Sequence, residues 1–267
     1  MLNRGREAIT YVIGEADCYV ELVPLVSIME RDEERSFEDP THTTVCGVEV
    51  QFQVTSENEH QSIPADSGGY HELFEDMFSE MNERDVLFEI GAHMGIISCV
   101  VGRHYRDLDI VCFEPNPRTR KRLETNLKLN GLDAIVMDCA VSNSDGVMVL
   151  DTRHASRGGA KEAHRSGQGS EIPVRTLDGV VTDDGIPSPT VIVADIVGEE
   201  LNLLRGGLTV FSSPTTRLAY IVTHDQPLER LGGSTQDVEK LLRRYGFDKV
   251  EHLRENLLKA KKSEHSR

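Results

Sequence analysis

The stretch Asp85-Val-Leu-Phe-Glu-Ile-Gly-Ala-His-Met-Gly95, then an apolar helical run, then Ile110-Val-Cys-Phe-Glu-Pro-Asn116, decides the fold. It reads as a strand, a glycine turn, a helix and a second strand ending in an acid. In such a unit the backbone amides of the turn face a ligand at the mouth of the sheet. An acidic residue about 20 positions beyond the glycines grips a ribose hydroxyl pair. Glu114 holds that place, so a nucleoside-containing cofactor is expected.

The middle of the turn narrows the choice. A dinucleotide fingerprint requires Gly-x-Gly-x-x-Gly so that the backbone can press against a pyrophosphate. Here the turn is Gly91, Ala92, His93, Met94, Gly95, and the His93 side chain would crowd a pyrophosphate. A cofactor without phosphates fits better, and S-adenosylmethionine is the common one. An NAD-dependent oxidoreductase on a similar sheet is the rival that His93 disfavours. Alone, a Gly-x-x-x-Gly turn often signals only tight strand-to-helix packing. Glu114 at strand spacing turns it into a cofactor signal.

From Val86 onward strand and helix patterns alternate, which implies a largely parallel sheet covered on both faces. The strand candidates are Val86 to Ile90, Ile110 to Phe113, Ala134 to Met137, Val191 to Asp195 and Leu218 to Thr223. Asn116 caps the helix that follows the second strand, Pro117 suits its first position and Gly131 its left-handed end. Ser234 begins a late helix that ends at Gly246, and Phe247 to Leu253 and Leu257 to Lys262 read as closing strands. Upstream, Tyr70, Leu73, Phe74, Met77, Phe78 and Met81 form one apolar helical stripe that packs on the sheet. Val48, Val50, Phe52 and Val54 alternate as in a half-buried strand. With apolar runs at Ile9 to Ile13 and Tyr19 to Ile28, residues 1–65 read as a β-rich N-terminal extension and 66–267 as the main domain.

The net charge of -16, from 45 acidic and 29 basic residues, excludes a non-specific grip on DNA or RNA, because phosphate neutralisation by Lys and Arg supplies most of that affinity. RNA methylation is disfavoured for the same reason. Only 8 Lys accompany 21 Arg, and there is no Trp. This usage suggests a salt-loving host whose surface carboxylates need screening, although an ordinary acidic cytosolic protein shares the composition. Unfolding in low salt that molar KCl reverses would support salt adaptation, and salt-independent melting would remove it.

No apolar run reaches the roughly 18 to 20 residues that span a bilayer, and charges interrupt any N-terminal signal core, so the expected location is the cytoplasm. Cys18, Cys46, Cys99, Cys112 and Cys139 form no Cys-x-x-Cys pair and read as structural thiols. No His, Cys or carboxylate spacing suggests a dedicated metal site. Residues 152–170 lack an apolar pattern and cluster Arg153, His154, Arg157, Lys161, His164 and Arg165. They read as a solvated insert, or alternatively as a lid attracting an anionic acceptor.

Taken together the motifs resemble the FkbM-type methyltransferases, over most of the chain from about residue 45. The resemblance rests on Asp85 to Gly95, Phe113 to Pro117, Leu127-Lys-Leu-Asn-Gly131, Cys139-Ala-Val-Ser142, Val174-Arg-Thr-Leu-Asp178 and Asp195-Ile-Val-Gly-Glu-Glu-Leu201. It implies a Rossmann-like, seven-stranded, mostly parallel α/β sheet with a reversed closing strand, the class I methyltransferase fold. It also implies S-adenosylmethionine over the C-terminal strand ends, and O-methylation of a small molecule, sugar or glycolipid.

By position, the resemblance implies that Glu89, Gly91, Ala92 and Gly95 frame the methionine part of the cofactor, with His93 shaping the pocket. Glu114, flanked by Pro115 and Asn116, holds the ribose. Asp138, Cys139 and Ala140 border the adenine. Asp195 and His224 are the candidates for removing an acceptor proton. Glu89 alternatively caps backbone amides, Asp138 ends a strand, and Asp195 starts the next helix. Family members carry a Lys two residues before this aspartate, a Glu two after it, and a Glu-x-His at the end of the following strand. The charged positions read Val193, Val197 and Val222 here. A non-catalytic cofactor-binding or interaction protein is therefore the second reading.

Overall fold

The computed structural model describes residues 39–63, 70–150, 170–183 and 185–263. The apolar runs before residue 30 and the basic cluster between Arg153 and Arg165 lie outside the described residues. The described chain opens with a hairpin, β1 (Thr41–Val45) and β2 (Val48–Phe52), closed by Cys46 and Gly47 at positive φ. Two helices follow, α1 (Glu57–Ser62) and α2 (His71–Glu80). Then come β3 (Val86–Ile90), α3 (Ile96–His104), β4 (Asp109–Phe113), α4 (Pro117–Leu129) and β5 (Ile135–Met137).

A small sheet is made by β6 (Ala140–Val141), β7 (Gly146–Leu150) and β8 (Ser170–Arg175), in the order β6-β8-β7. It has no counterpart among the expected strands. Its segments are short and carry Gly146 and Pro173, residues that weaken a strand pattern. After α5 (Leu177–Asp183) come β9 (Val191–Asp195), α6 (Glu200–Gly206), α7 (Leu208–Ser212) and β10 (Leu218–Val222). The chain closes with α8 (Asp225–Arg230), α9 (Thr235–Arg244), β11 (Lys249–Arg254) and β12 (Leu257–Lys261).

The main sheet has seven strands in the order β11-β12-β10-β9-β3-β4-β5. Pairings from β10 through β5 are parallel, and β12 runs antiparallel to both β10 and β11. This is the expected seven-stranded class I methyltransferase architecture with its reversed closing strand. Its central strands are buried on both faces, as a parallel sheet under two helical layers must be. Val191, Val193, Leu218 and Tyr220 join the core under the hairpin, α2 and α3, while Ile192, Ala194, Ala219 and Ile221 join the core under α6, α7 and α9. Winding reverses between β3 and β9, and a crevice opens at such a switch point above the strand ends.

The described residues from Asp39 to Ser263 belong to one compact unit, which contains the hairpin. Val50, Phe52 and Val54 bury their apolar face in the same core as α3 and α4. Asn130 Oδ1 accepts the Gln51 amide at 3.0 Å and Asn126 Oδ1 accepts the Gln53 amide at 2.7 Å. The strand period places the hairpin, and two asparagines of α4 satisfy its inner backbone donors.

Helix α2 is clamped to the closing strands by charge. Lys259 of β12 donates to Asp76 and Glu80, and Lys261 donates to Glu80. These half-buried pairs hold the lower part of α2 and so fix where its N-terminal end, with Tyr70, meets the strand ends. Among the described residues no helix is long and apolar enough to cross a membrane.

Candidate functional site

The turn after β3 is built for close approach. Gly91, His93 and Gly95 all have positive φ, at 83°, 50° and 83°. A Cβ on Gly91 would stand 2.4 Å from the Asp195 carbonyl oxygen, so only glycine lets this turn lie against the end of β9. The Gly91 and Ala92 amides both donate to the Phe113 carbonyl, at 3.0 and 2.9 Å, and tie the turn to the end of β4. His93 adopts a conformation uncommon for a residue with a side chain.

Glu114 follows directly on β4. Its Oε2 accepts the His93 amide at 2.9 Å and its Oε1 accepts the Asn116 amide at 2.8 Å. Burial pushes its carboxyl up to about 7, against the lowering effect of those two backbone donors. Each carboxylate oxygen has two acceptor directions and spends one here, so Glu114 retains capacity for a diol. Its neighbours are fixed for other reasons. Asn116 caps α4 by accepting the Arg118 amide at 3.0 Å, and Arg120 donates to the carbonyls of Glu114 and Pro115.

Glu89 turns beneath the turn instead of toward the mouth. It is 4% exposed, and its Oε2 accepts the Ser98 amide at 3.0 Å and the Ser98 hydroxyl. Burial raises its carboxyl to about 7, and the nearby Asp195 charge adds to the rise. These bonds are those of a carboxylate capping the N-terminus of α3. Beyond β5, Asp138 is exposed, Cys139 is buried and Ala140 begins β6.

A second group of side chains gathers on the other side of the switch point. Asp195 ends β9, and its Oδ2 accepts the Tyr70 hydroxyl at 3.0 Å. Burial first, and then the Asp195 charge, push the Tyr70 hydroxyl well up, so it stays protonated and donates. His224 lies just past β10, with Nε2 3.5 Å from Asp195 Oδ1 and Nδ1 2.8 Å from Glu200 Oε1. The side chains of Asp195 and His224 keep 29% and 25% of their surface exposed, whereas that of Glu200 has none. The imidazole therefore bridges a buried carboxylate and one open to the crevice.

The structure brings Asp195 and His224 together as a pair, packs Gly91 against the Asp195 end of β9, and joins His93 to Glu114 through a backbone hydrogen bond. Tyr70 and Glu200 were not singled out from the sequence. Tyr70 read as the first residue of an apolar stripe, and Glu200 lay unremarked inside a quoted block. Val193 and Val222 are buried in the core, and Val197 is half-buried at the start of the following loop. They close the floor of the site with hydrocarbon where the resemblance implies charge. Among the described residues no cluster of three His, Cys, Asp or Glu is arranged to hold a metal ion.

Known proteins bear on this site in two ways. The methyltransferase FkbM domain family matches residues 89–249, well over half of the chain. The chain is also similar to the hexuronic acid methyltransferase AglP of Haloferax volcanii, at 26% identity over 205 residues that cover 76% of this chain and 80% of that protein. Among solved structures it is similar to a precorrin-6y C5,15-methyltransferase of Geobacter metallireducens, with a TM-score of 0.48 and 12% identity over 79% of this chain and 94% of that one. A T. thermophilus 16S rRNA N2 G1207 methyltransferase, in complex with AdoMet and guanosine, gives a TM-score of 0.49 and 15% identity over 84% of this chain and 50% of that one.

Proposed function

The chain belongs to the FkbM methyltransferase family, and on that premise we propose that it is an S-adenosylmethionine-dependent O-methyltransferase acting on a hydroxyl of a sugar-type acceptor. The observation that carries the reading is the imidazole of His224 set beside Asp195 at the C-terminal end of the sheet, where the Gly91 turn packs against the end of β9. The hexuronic acid methyltransferase relative supports a sugar as the acceptor class.

The residues present fit the cofactor. Glu114, its carboxylate half-engaged by backbone amides, would hold the ribose hydroxyls, and glycine at position 91 lets the turn lie directly against the end of β9 at Asp195. The half-exposed Asp195 carboxylate places negative charge at the strand ends, which favours a cationic ligand. When bound, S-adenosylmethionine supplies a methyl carbon on a sulfonium, which an acceptor oxygen takes while the bonding pair stays on sulfur. His224 Nε2 receives the acceptor's hydroxyl proton as the oxygen attacks. Asp195, whose carboxylate lies 3.5 Å from Nε2, stabilises the imidazolium that forms. Alignment of the reactants supplies roughly 7 to 11 kcal/mol of the barrier, and the base a further factor of about 10² to 10⁴.

The second reading, cofactor binding without turnover, is motivated by Val193, Val197 and Val222. Calorimetric titration with S-adenosylmethionine in molar KCl, followed by transfer of labelled methyl to uronic acid and neutral sugar acceptors, separates the two. Saturable binding weakened about 10- to 100-fold in Glu114→Ala, with label in a sugar, supports the enzyme. That loss corresponds to about 1.5 to 3 kcal/mol for hydrogen bonds to a charged group. Binding without label in any acceptor supports the second reading. Absence of binding in protein shown to be folded overturns both.

A further inference from the structure

Glu200 is the one carboxylate of the site that no solvent reaches. It sits in the first turn of α6, five residues after Asp195, and its side chain is fully buried. Its Oε1 meets His224 Nδ1 at 2.8 Å and also accepts the Gly198 amide at 3.2 Å, while its Oε2 has no hydrogen-bond partner. The loop that delivers it is tightly placed. Gly198 has a φ of 86°, and a Cβ there would stand 2.7 Å from Pro227 of α8. The chain thus buries an ionisable group with half its acceptor capacity unused, which costs stability unless something offsets it. A cap for one loop amide does not require a carboxylate in that place. Beside His224 Nδ1, a carboxylate both fixes the tautomer and favours the imidazolium.

We infer that Glu200 is a positioning residue for methyl transfer, fixing His224 with its proton on Nδ1 so that Nε2 faces Asp195 and the acceptor. The inference rests on the proposed reading of His224 as the base. With Nδ1–H donated to Glu200, the neutral ring presents an Nε2 lone pair toward the crevice. Nε2 and Asp195 Oδ1 are 3.5 Å apart, beyond a good direct hydrogen bond, so Asp195 does not engage the Nε2 lone pair, which faces the single proton of an acceptor hydroxyl. Such a hydroxyl donates its proton to Nε2 in the step. The imidazolium that results then lies between two carboxylates, Glu200 and Asp195, which stabilise it as it forms.

Among the described residues, the titratable and charged groups near this ring include Glu200 from α6, Asp195 from β9 with Glu89 of β3 behind it, Tyr70 at the start of α2 with Arg254 of β11 near it, and Asp225 next in chain. Glu200 is the one in hydrogen-bond contact with Nδ1. A carboxylate there favours the protonated ring, so its removal lowers the pH at which His224 loses its proton.

The test is Glu200→Gln in the full chain in molar KCl, with three readouts. Side-chain nitrogen NMR is expected to show His224 protonated at Nδ1 in the wild type, and the variant to lose that preference and titrate about 1 to 3 units lower. With an accepting sugar, kcat is expected to fall about 10²-fold with KM and S-adenosylmethionine affinity within about twofold, and the acidic limb of kcat to move to lower pH. In a His224→Gln background the same substitution is expected to change kcat less than twofold, because Glu200 acts through the ring. An unchanged His224 tautomer and titration in Glu200→Gln, or an equal loss of kcat with and without His224, overturns the inference. The NMR arm needs no turnover. An inactive wild type with the expected tautomer therefore overturns the enzyme reading and the role in methyl transfer that rests on it, and leaves only the fixing of the His224 tautomer by Glu200.

Discussion

The two sides of the crevice are built differently. The turn side, Gly91 to Glu114, comes from one strand-helix-strand unit and works through backbone: two amides on the Phe113 carbonyl and two on the Glu114 carboxylate. The opposite side works through side chains from four places in the chain, Tyr70, Asp195, Glu200 and His224, joined by contacts across 24 to 125 residues. A site made of local backbone tolerates change in the rest of the chain, whereas one assembled from distant side chains depends on the whole fold. Binding of the donor and transfer to the acceptor should therefore separate under mutation.

The largest expected separation is in His224→Ala. Its kcat should fall by about 10² to 10⁴ while S-adenosylmethionine affinity, read by calorimetry, stays within about twofold. Unchanged turnover would remove the base assignment and with it the functional contrast between the sides. Gly91→Ala should break the contrast in the other direction, because that Cβ would strike the Asp195 carbonyl and so reaches both sides at once. A left-handed conformation and overpacking together cost about 2 to 4 kcal/mol, so the melting temperature, cofactor affinity and turnover should all drop.

Glu89→Gln sharpens the comparison through pH. The carboxyl of Glu89 lies near 7 in the fold and at an ordinary 4.5 in the unfolded chain. The folded state holds that proton more tightly, so this group's contribution to stability is full below pH 4.5 and declines as pH rises through about 7. A shift of that size corresponds to roughly 3 kcal/mol. The stability difference between variant and wild type, from denaturant unfolding at constant KCl, should grow in the variant's favour from pH 5 to pH 8. A flat difference would mean that Glu89 is ionised at no extra cost. Glu114 titrates in the same window in both proteins and cancels. The smallest effect belongs to Tyr70→Phe. It removes one donor from the half-open Asp195 and should slow transfer by about threefold to tenfold, roughly 1 kcal/mol, with donor affinity unchanged.

Much of the fold was legible because its signals are local. Val86 to Ile90 and Val191 to Asp195 were bounded to the residue, and Asn116, Gly131 and Ser234 mark helix ends where the structure has them. The capping alternative weighed for Glu89 describes the bonds it makes, since the same acid-before-glycine spacing serves both roles. What escaped notice was the small sheet of β6, β7 and β8, whose strands are short, and the pairing of Tyr70 and Glu200 with residues far along the chain.

The sequence by itself determined a doubly wound sheet, a glycine turn with His93 in place of a second glycine, and an acid at the end of the second strand. Each of these is written in residues that are neighbours in the chain or share one strand or helix period. Only the tertiary structure decided that Glu200 lies under His224 and that Tyr70 reaches Asp195. Those contacts join elements wound onto the sheet from opposite faces, and their geometry follows from strand order, the packing of Gly91 against β9 and of Gly198 against Pro227, and the clamp of α2 on β12. Hydrogen bonds and charge act over a few ångströms in space, and separation along the chain carries no record of them until the core has closed.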